Sequence, residues 1–214
     1  MHGLSTASKE LADIPSAHDC ASLGDRGLLK HTWTAFFCSV RCPGNLILKA
    51  YDLAQKWRAE NQPVIGGFHS PVEKEVLRIL LRSTVPVCIV LARCLPKRIQ
   101  PEFRRPLDEG RLLLLSSFDA KTKRATQETA AQRNRAVAAL ADKVFVAYAA
   151  PGSKTEAFCR EIAGTGNPST ELRAGPSTKL RAGPLAGLRV KTCMTFDDPK
   201  TDNLKSAGFV SIPL

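Results

Sequence analysis

Three short turns and one basic triplet hold most of the residues in this chain that could do chemistry. Cys38-Ser39-Val40-Arg41, followed by Pro43-Gly44-Asn45, sets a hydroxyl and a guanidinium between a run of strand formers and an amphipathic segment. Gly66-Gly67-Phe68-His69-Ser70 combines unhindered backbone, an imidazole and an aromatic ring able to stack on a base. Pro151-Gly152-Ser153-Lys154-Thr155 joins a glycine turn to an ammonium group and two hydroxyls. Each turn stands where a strand gives way to a helix, and there free amides and the positive end of the helix dipole favour phosphate. Arg133-Asn134-Arg135 adds two guanidinium forks that match phosphate oxygens in pairs. The candidate phosphate ligands are therefore Ser39, Arg41, Gly66, Gly67, His69, Ser70, Arg133, Asn134, Arg135, Gly152, Ser153, Lys154 and Thr155, with Phe68 as a base platform. The competing reading is structural: glycine turns join strand to helix in any parallel sheet, and the arginines would line a solvated helix face.

Catalytic signals are sparse. Glu73 and Glu156 are the acid/base candidates, although Ser70-Pro71-Val72-Glu73 also has the form of a capping box with proline at the first helical position. Gly152-Ser153-Lys154-Thr155 lacks the spacing and the leading glycine of a P-loop, and no GxGxxG fingerprint or HExxH motif occurs. No Ser/His/Asp set can be assembled. The seven cysteines include no CxxC pair, and Cys38-x3-Cys42 has no second pair or histidine cluster beside it, so a zinc site is not expected and the thiols are read as reduced. No cofactor and no metal are implied.

These turns must be held by an alternation of strand and helix. Strand-sized runs occur at Thr34–Cys38, Val64–Ile65, Val85–Ala92, Leu112–Ser116, Val144–Ala149 and Leu188–Phe196, with Phe209–Ile212 as an added edge. Between them, Leu46, Ala50, Leu53, Ala54 and Trp57 recur at intervals of three and four, and Val76, Leu77, Leu80 and Leu81 repeat the pattern. A short polar helix or turn is expected over Pro101–Glu109, and further helices over Thr126–Ala141, from Pro151 to about Ala163, and after Asp198. The alternation predicts an α/β, Rossmann-like doubly wound and mostly parallel sheet of six or seven strands, helices on both faces. Ligands then belong beyond the C-terminal ends of the strands, where all three turns fall.

The chain divides into an N-terminal extension, partly helical, over 1–33, a main body over 34–163, an insert over 164–187, and closing elements of the same domain over 188–214. The insert repeats itself: Thr170-Glu171-Leu172-Arg173-Ala174-Gly175-Pro176 is echoed by Thr178-Lys179-Leu180-Arg181-Ala182-Gly183-Pro184. Two copies are too few for a solenoid, so a flexible proline- and glycine-rich excursion is expected.

The 214 residues carry 31 Lys and Arg against 20 Asp and Glu, a net charge of +11. Fourteen of those bases and seven of the acids lie between Pro71 and Arg135, which points to a polyanionic partner. An apolar content of 43% fits a folded globular protein. No run reaches the roughly 18 apolar residues of a membrane span, and the first twenty residues lack the pattern of a secretory signal. The expectation is a cytoplasmic protein with no membrane partner.

FFCSVRCPGN, VIGGFHSPVEKEVL, LLLLSSF, RNRAVAALADKVFVA and APGSKTEAF occur in this order. Together they resemble the Rossmann-like domain of the DNA-processing protein A (Smf) family, over about Thr34 to Ala163. That family belongs to a nucleotide-binding superfamily that also contains the lysine-decarboxylase-like phosphoribohydrolases. The resemblance implies binding of single-stranded DNA, loading of a recombinase during natural transformation, and a homodimer. Ser39 and Arg41 match the family's glycine–serine–arginine turn, with Cys38 in the place of the glycine and Val40 inserted. Gly66 and Gly67 match its glycine loop, His69 stands where arginine is common, and Arg133-Asn134-Arg135 is intact. Gly152 and Ser153 match the later glycine–serine turn. Pro151 to Glu156 echoes the phosphoribohydrolase PGGxGTxxE loop without two of its glycines. The alternative is thus a sensor or hydrolase of a free nucleotide or nucleotide-derived ligand in the same cleft. The winged helix found in many members is not expected within these residues.

Overall fold

The structure, a computed structural model, describes residues 20–166 and 192–213. Residues 1–19, the duplicated insert from 167 onward and the beginning of the sixth predicted strand, 188–191, lie outside the described residues. The strands are β1 (Ala21–Gly24), β2 (Thr34–Cys38), β3 (Val64–Gly66), β4 (Val87–Leu91), β5 (Leu112–Ser116), β6 (Lys143–Tyr148), β7 (Thr192–Phe196) and β8 (Val210–Ile212). The helices are α1 (Gly44–Ala59), α2 (Pro71–Leu81), α3 (Pro101–Asp108), α4 (Gln127–Leu140), α5 (Lys154–Gly166) and α6 (Asp202–Ser206). They form one eight-stranded sheet in the order β1-β5-β4-β3-β2-β6-β7-β8. Every pairing is parallel except β1 with β5.

Six or seven strands were expected from the sequence, and the additional one is β1. Its four residues, Ala-Ser-Leu-Gly, carry no alternation that a strand pattern would reveal, and it pairs antiparallel along the outer edge of β5. Cys20, Leu28 and Trp33, from the same N-terminal stretch, are buried against the sheet. A 3-10 turn over Arg26–Lys30 lies between β1 and β2.

Strand residues alternate between two cores, as a period of two requires when both faces are covered. Phe36, Val64, Ile89, Leu114 and Phe145 face α1 and α2, while Phe37, Ile65, Cys88, Leu115 and Val146 face α4 and α5. Phe36, Trp57, Phe145 and Phe196 lock α1 to the sheet centre, with ring centroids 4.9 to 6.3 Å apart along the cluster. No helix among the described residues is long and apolar enough to cross a membrane.

The chain starts its parallel winding at β2, runs outward through β3, β4 and β5, and returns to the other side of β2 at β6. The direction of winding therefore reverses between β2 and β6, and a ligand crevice is expected beyond their C-terminal ends. The ladder between them shifts register between Phe37 and Cys38, an irregularity that re-aims the chain as it enters the first turn.

Candidate functional site

Ser39 is the hinge of the crevice. Its N–H donates to the Tyr148 carbonyl at 2.8 Å, and its hydroxyl accepts the Ala150 N–H at 3.0 Å. The Ser39 and Ser153 hydroxyls lie 3.5 Å apart. The first and third predicted turns thus meet across the β2–β6 boundary, 111 residues apart in the chain.

The second turn is tied to the first by Glu73. One carboxylate oxygen accepts the Cys38 N–H at 2.9 Å; the other accepts His69 N–H at 2.7 Å and Ser70 N–H at 3.0 Å. Ser70 Oγ returns the bond from Glu73 N–H at 3.2 Å, completing the predicted capping box. Glu156 does the same for α5: it accepts the Gly152 N–H at 2.8 Å while its own N–H donates to Ser153 Oγ at 3.1 Å. Its other oxygen takes Asn203 Nδ2 at 2.7 Å. The Asn203 amide and the Gly152 N–H hold the Glu156 carboxyl below the usual range. Both acid/base candidates are therefore occupied as helix caps.

This changes what the turns can offer an anion. The amides of His69, Ser70 and Gly152 are spent on carboxylates, so the second and third turns do not present them as the sequence suggested. Helix α4 is capped as well, by Thr126 and Thr129. Helix α1 differs: Pro43 at its N-cap supplies no side-chain bond. Beside it Arg41 stands exposed. Of the three predicted turns, the one after β2 therefore keeps both a helix N-terminus and a guanidinium for a ligand.

The basic triplet is split. Arg133 is only 7% exposed, and its Nε donates to Asn134 Oδ1 at 2.8 Å. Its two terminal amino groups have no acceptor among the described residues. Burial pulls its pKa down and the Glu73 carboxylate pulls it back up, yet a guanidinium stays charged. The guanidinium lies flat against Gly67, where a β-carbon would fall 1.9 Å from Nη1. A side chain at position 67 would have to displace the guanidinium from this place. Arg135 turns away to α5, where Nε meets Glu161 at 3.0 Å, so the two arginines do not clamp one phosphate together. Lys154 reaches Gln127 on α4. Thr155 is half-buried, and His69 is exposed at the rim.

Phe68 does not stand out as a stacking platform. It is 5% exposed and adopts a left-handed backbone, φ 47°, which folds its ring back over Gly66. The ring packs in the core shared with α1 and α2.

The sequence missed a cavity of about 610 Å³ over the C-terminal ends of β3 and β4, between α2, α3 and the segment before α4. Gly67, His69 and Arg133 line it, joined by Lys74, Arg78, Arg93, Lys123 and Arg124. Glu102 is the one acid on its wall, and Leu77, Ile89, Leu91 and Phe103 give it an apolar side. Arg78 is paired with Glu75. Lys74, Arg93, Lys123 and Arg124 make no ion pair among the described residues. The charge excess between Pro71 and Arg135 was the available signal, but it could not say which bases converge. No group of three or more metal-ligating side chains occurs among the described residues.

No family model matches the sequence, and no curated protein matches it. Solved structures match the fold, the following two among them. DNA processing protein A from Helicobacter pylori, which binds single-stranded DNA, superposes with a TM-score of 0.65 at 16% identity, over 100% of this chain and 88% of that one. DNA processing protein A from Streptococcus pneumoniae gives 0.64 at 17% identity, over 96% of this chain and 73% of that one. The strand–helix order and the winding about β2 are thus those of a known architecture, and the chain has the Rossmann-like α/β fold of the DNA processing protein A structures.

Proposed function

We propose that this chain is a DNA-processing-type protein that holds single-stranded DNA along the C-terminal edge of its sheet. The observation that carries the reading is the cavity beside β3 and β4: the Arg133 guanidinium lines it with no acceptor for its terminal amino groups among the described residues, and four exposed bases that make no ion pair among those residues surround it. An anion in the cavity would accept charge-assisted hydrogen bonds from those amino groups. Phosphates running from the Arg41 turn past Ser39 to Lys123 and Arg124 would supply that charge. The apolar wall at Leu77 and Phe103 would shelter a base in the place of the Phe68 ring. The fold shared with the Helicobacter pylori protein supports the same partner. A role in DNA uptake and recombination, contact with a recombinase and a homodimer are proposed on the resemblance, and a cytoplasmic location on the sequence reading alone.

The test is fluorescence anisotropy of labelled oligo-dT across a salt series, with Lys123→Ala/Arg124→Ala beside the unaltered chain. Tight binding should weaken steeply with salt. The double variant should lower the slope of log K against log salt by about 1.4, since each phosphate contact on a single strand contributes about 0.7. A chain that binds no oligonucleotide at low salt, yet melts higher with a mononucleotide, would favour the free-nucleotide sensor instead.

A further inference from the structure

The basic charge beside the cavity does not end at its rim. A second hollow, of about 670 Å³, lies over the segments that follow β4 and β5. Ala21, which pairs with Ser116 at the end of β5, lines it from β1. Arg93 and Lys123 line both hollows, so the two are continuous. Lys97 adds a third cation, and no acidic side chain is among the lining residues. All three cations are exposed and make no ion pair among the described residues. Leu95, Pro96 and Phe118 supply an apolar wall. Phe118 is the residue the fold leaves unexplained. It is half-buried, stands two positions beyond the leucine strand β5, and packs in neither core of the sheet. An aromatic ring held outside the core beside unpaired cations has the composition of a single-strand site, where the ring takes a base and the cations take phosphates.

The hollow is also built before any ligand arrives. Ser116 Oγ donates to the Arg93 carbonyl at 2.7 Å and accepts the Phe118 N–H at 3.1 Å, which ties the segments after β4 and β5 together. The Cys94 N–H donates to the Thr122 carbonyl at 2.9 Å, a second tie between the same segments. Asp119, next in the chain to Phe118, accepts the amides of Lys121 at 3.1 Å and Thr122 at 3.2 Å, so its carboxylate is committed to the turn. A wall fixed in advance loses less freedom on binding.

We propose that this hollow is a second base seat for single-stranded DNA, continuing the path of the strand from the cavity at β3 and β4 outward to β5 and β1. The inference rests on the single-stranded DNA reading. One base stacks on Phe118 beside Leu95 and Pro96, and its phosphates meet Lys97 and Lys123. Arg93, shared by both hollows, stands between successive nucleotides. Two continuous hollows suit a strand better than a free mononucleotide.

The first readout needs no substitution. Cys94 lines the hollow and is half-buried, so excess oligo-dT should slow its alkylation by iodoacetamide in proportion to the bound fraction. Cys193, paired with Val144 near the start of β6, should react at an unchanged rate. Oligo-dT carrying 5-iododeoxyuridine should crosslink under ultraviolet light to the peptide that contains Phe118. By anisotropy, Phe118→Ala should bind oligo-dT about tenfold more weakly. Lys97→Ala, which alters an exposed side chain, should melt with the unaltered chain yet lower the slope of log K against log salt by about 0.7. Suppose oligo-dT binds with its full salt dependence while Cys94 reacts as before, or while both variants bind like the unaltered chain. The second seat is then overturned and the DNA reading stands. Equal protection of Cys94 by thymidine monophosphate would overturn the strand path, and a chain that binds no oligo-dT at all loses both readings.

Discussion

Gly67 and Arg133 show how much of the candidate site depends on one missing methyl group. The guanidinium occupies the space a β-carbon would take at 67, so Gly67→Ala must push it out of its slot. A long side chain can swing aside, and the fold should survive, but the cations would no longer converge on one cavity. We expect Gly67→Ala to weaken oligo-dT binding by about tenfold, with a stability loss of roughly 1 kcal/mol. A double-mutant cycle checks the cause: in an Arg133→Ala background the same glycine substitution should have little further effect on affinity, because the two residues act through one contact. Equal losses in both backgrounds would separate Gly67 from Arg133. The sequence marked both residues as phosphate ligands, yet their direct contact was invisible because 66 positions separate them. Phe68 misled for a related reason. An aromatic in a glycine turn reads as exposed until its left-handed backbone is known to fold it inward.

At the scale of elements, the helix starts were the most legible part of the chain. Ser70 and Glu73 announced their capping box in the sequence, and the structure reproduces it with both bonds in place. What the spacing could not announce is that Glu73 has a second task, the Cys38 N–H at the end of β2. Glu156 and Asp198 extend the theme at the ends of β6 and β7. Asp198 accepts the Lys200 N–H at 3.0 Å, which, with the ammonium of Lys49, holds its carboxyl below the usual value. It also takes Asn45 Nδ2 at 2.9 Å, tying α1 to the turn after β7. Both carboxyls release their protons more readily folded than unfolded. Between the folded and unfolded pKa values the unfolded chain binds more protons, so their stabilisation is complete above the ordinary carboxylate pKa of about 4 and fades as pH falls through the depressed values. Urea midpoints should therefore drop on acidification below about pH 4. Asp198→Asn and Glu156→Gln should each flatten that acid limb while lowering the neutral-pH midpoint. An acid limb of unchanged steepness in both variants would assign the loss to other groups.

For the molecule as a whole, the mostly parallel, doubly wound architecture was legible because each parallel strand is a separate apolar run, and β-α alternation leaves few ways to connect them. The edge was not, because an antiparallel strand needs only a few backbone hydrogen bonds along β5 and little side-chain pattern. That edge makes a firm demand on where the folded unit starts. The sequence pattern begins at Thr34, but β1 covers β5, and Cys20, Leu28 and Trp33 fill the core under α4 and α5. A chain beginning at Thr34 would uncover the backbone of β5, a strand of four leucines and a serine, and open a void in the core to which Val137 and Leu113 belong. Full burial of a large apolar side chain contributes about 1.5–3 kcal/mol. Removing Leu28 and Trp33 with the β1 ladder therefore approaches the 5–15 kcal/mol that holds a typical domain together. An uncovered leucine-rich strand is also a template for edge-to-edge association. We expect the chain starting at Thr34 to aggregate or to lose its cooperative melt. One starting at Cys20 keeps β1 and both buried hydrophobic residues, and it serves as the control by circular dichroism and light scattering. If the Thr34 chain instead melts cooperatively as a monomer near the temperature of that control, the winding about β2 is self-sufficient and β1 is an accessory.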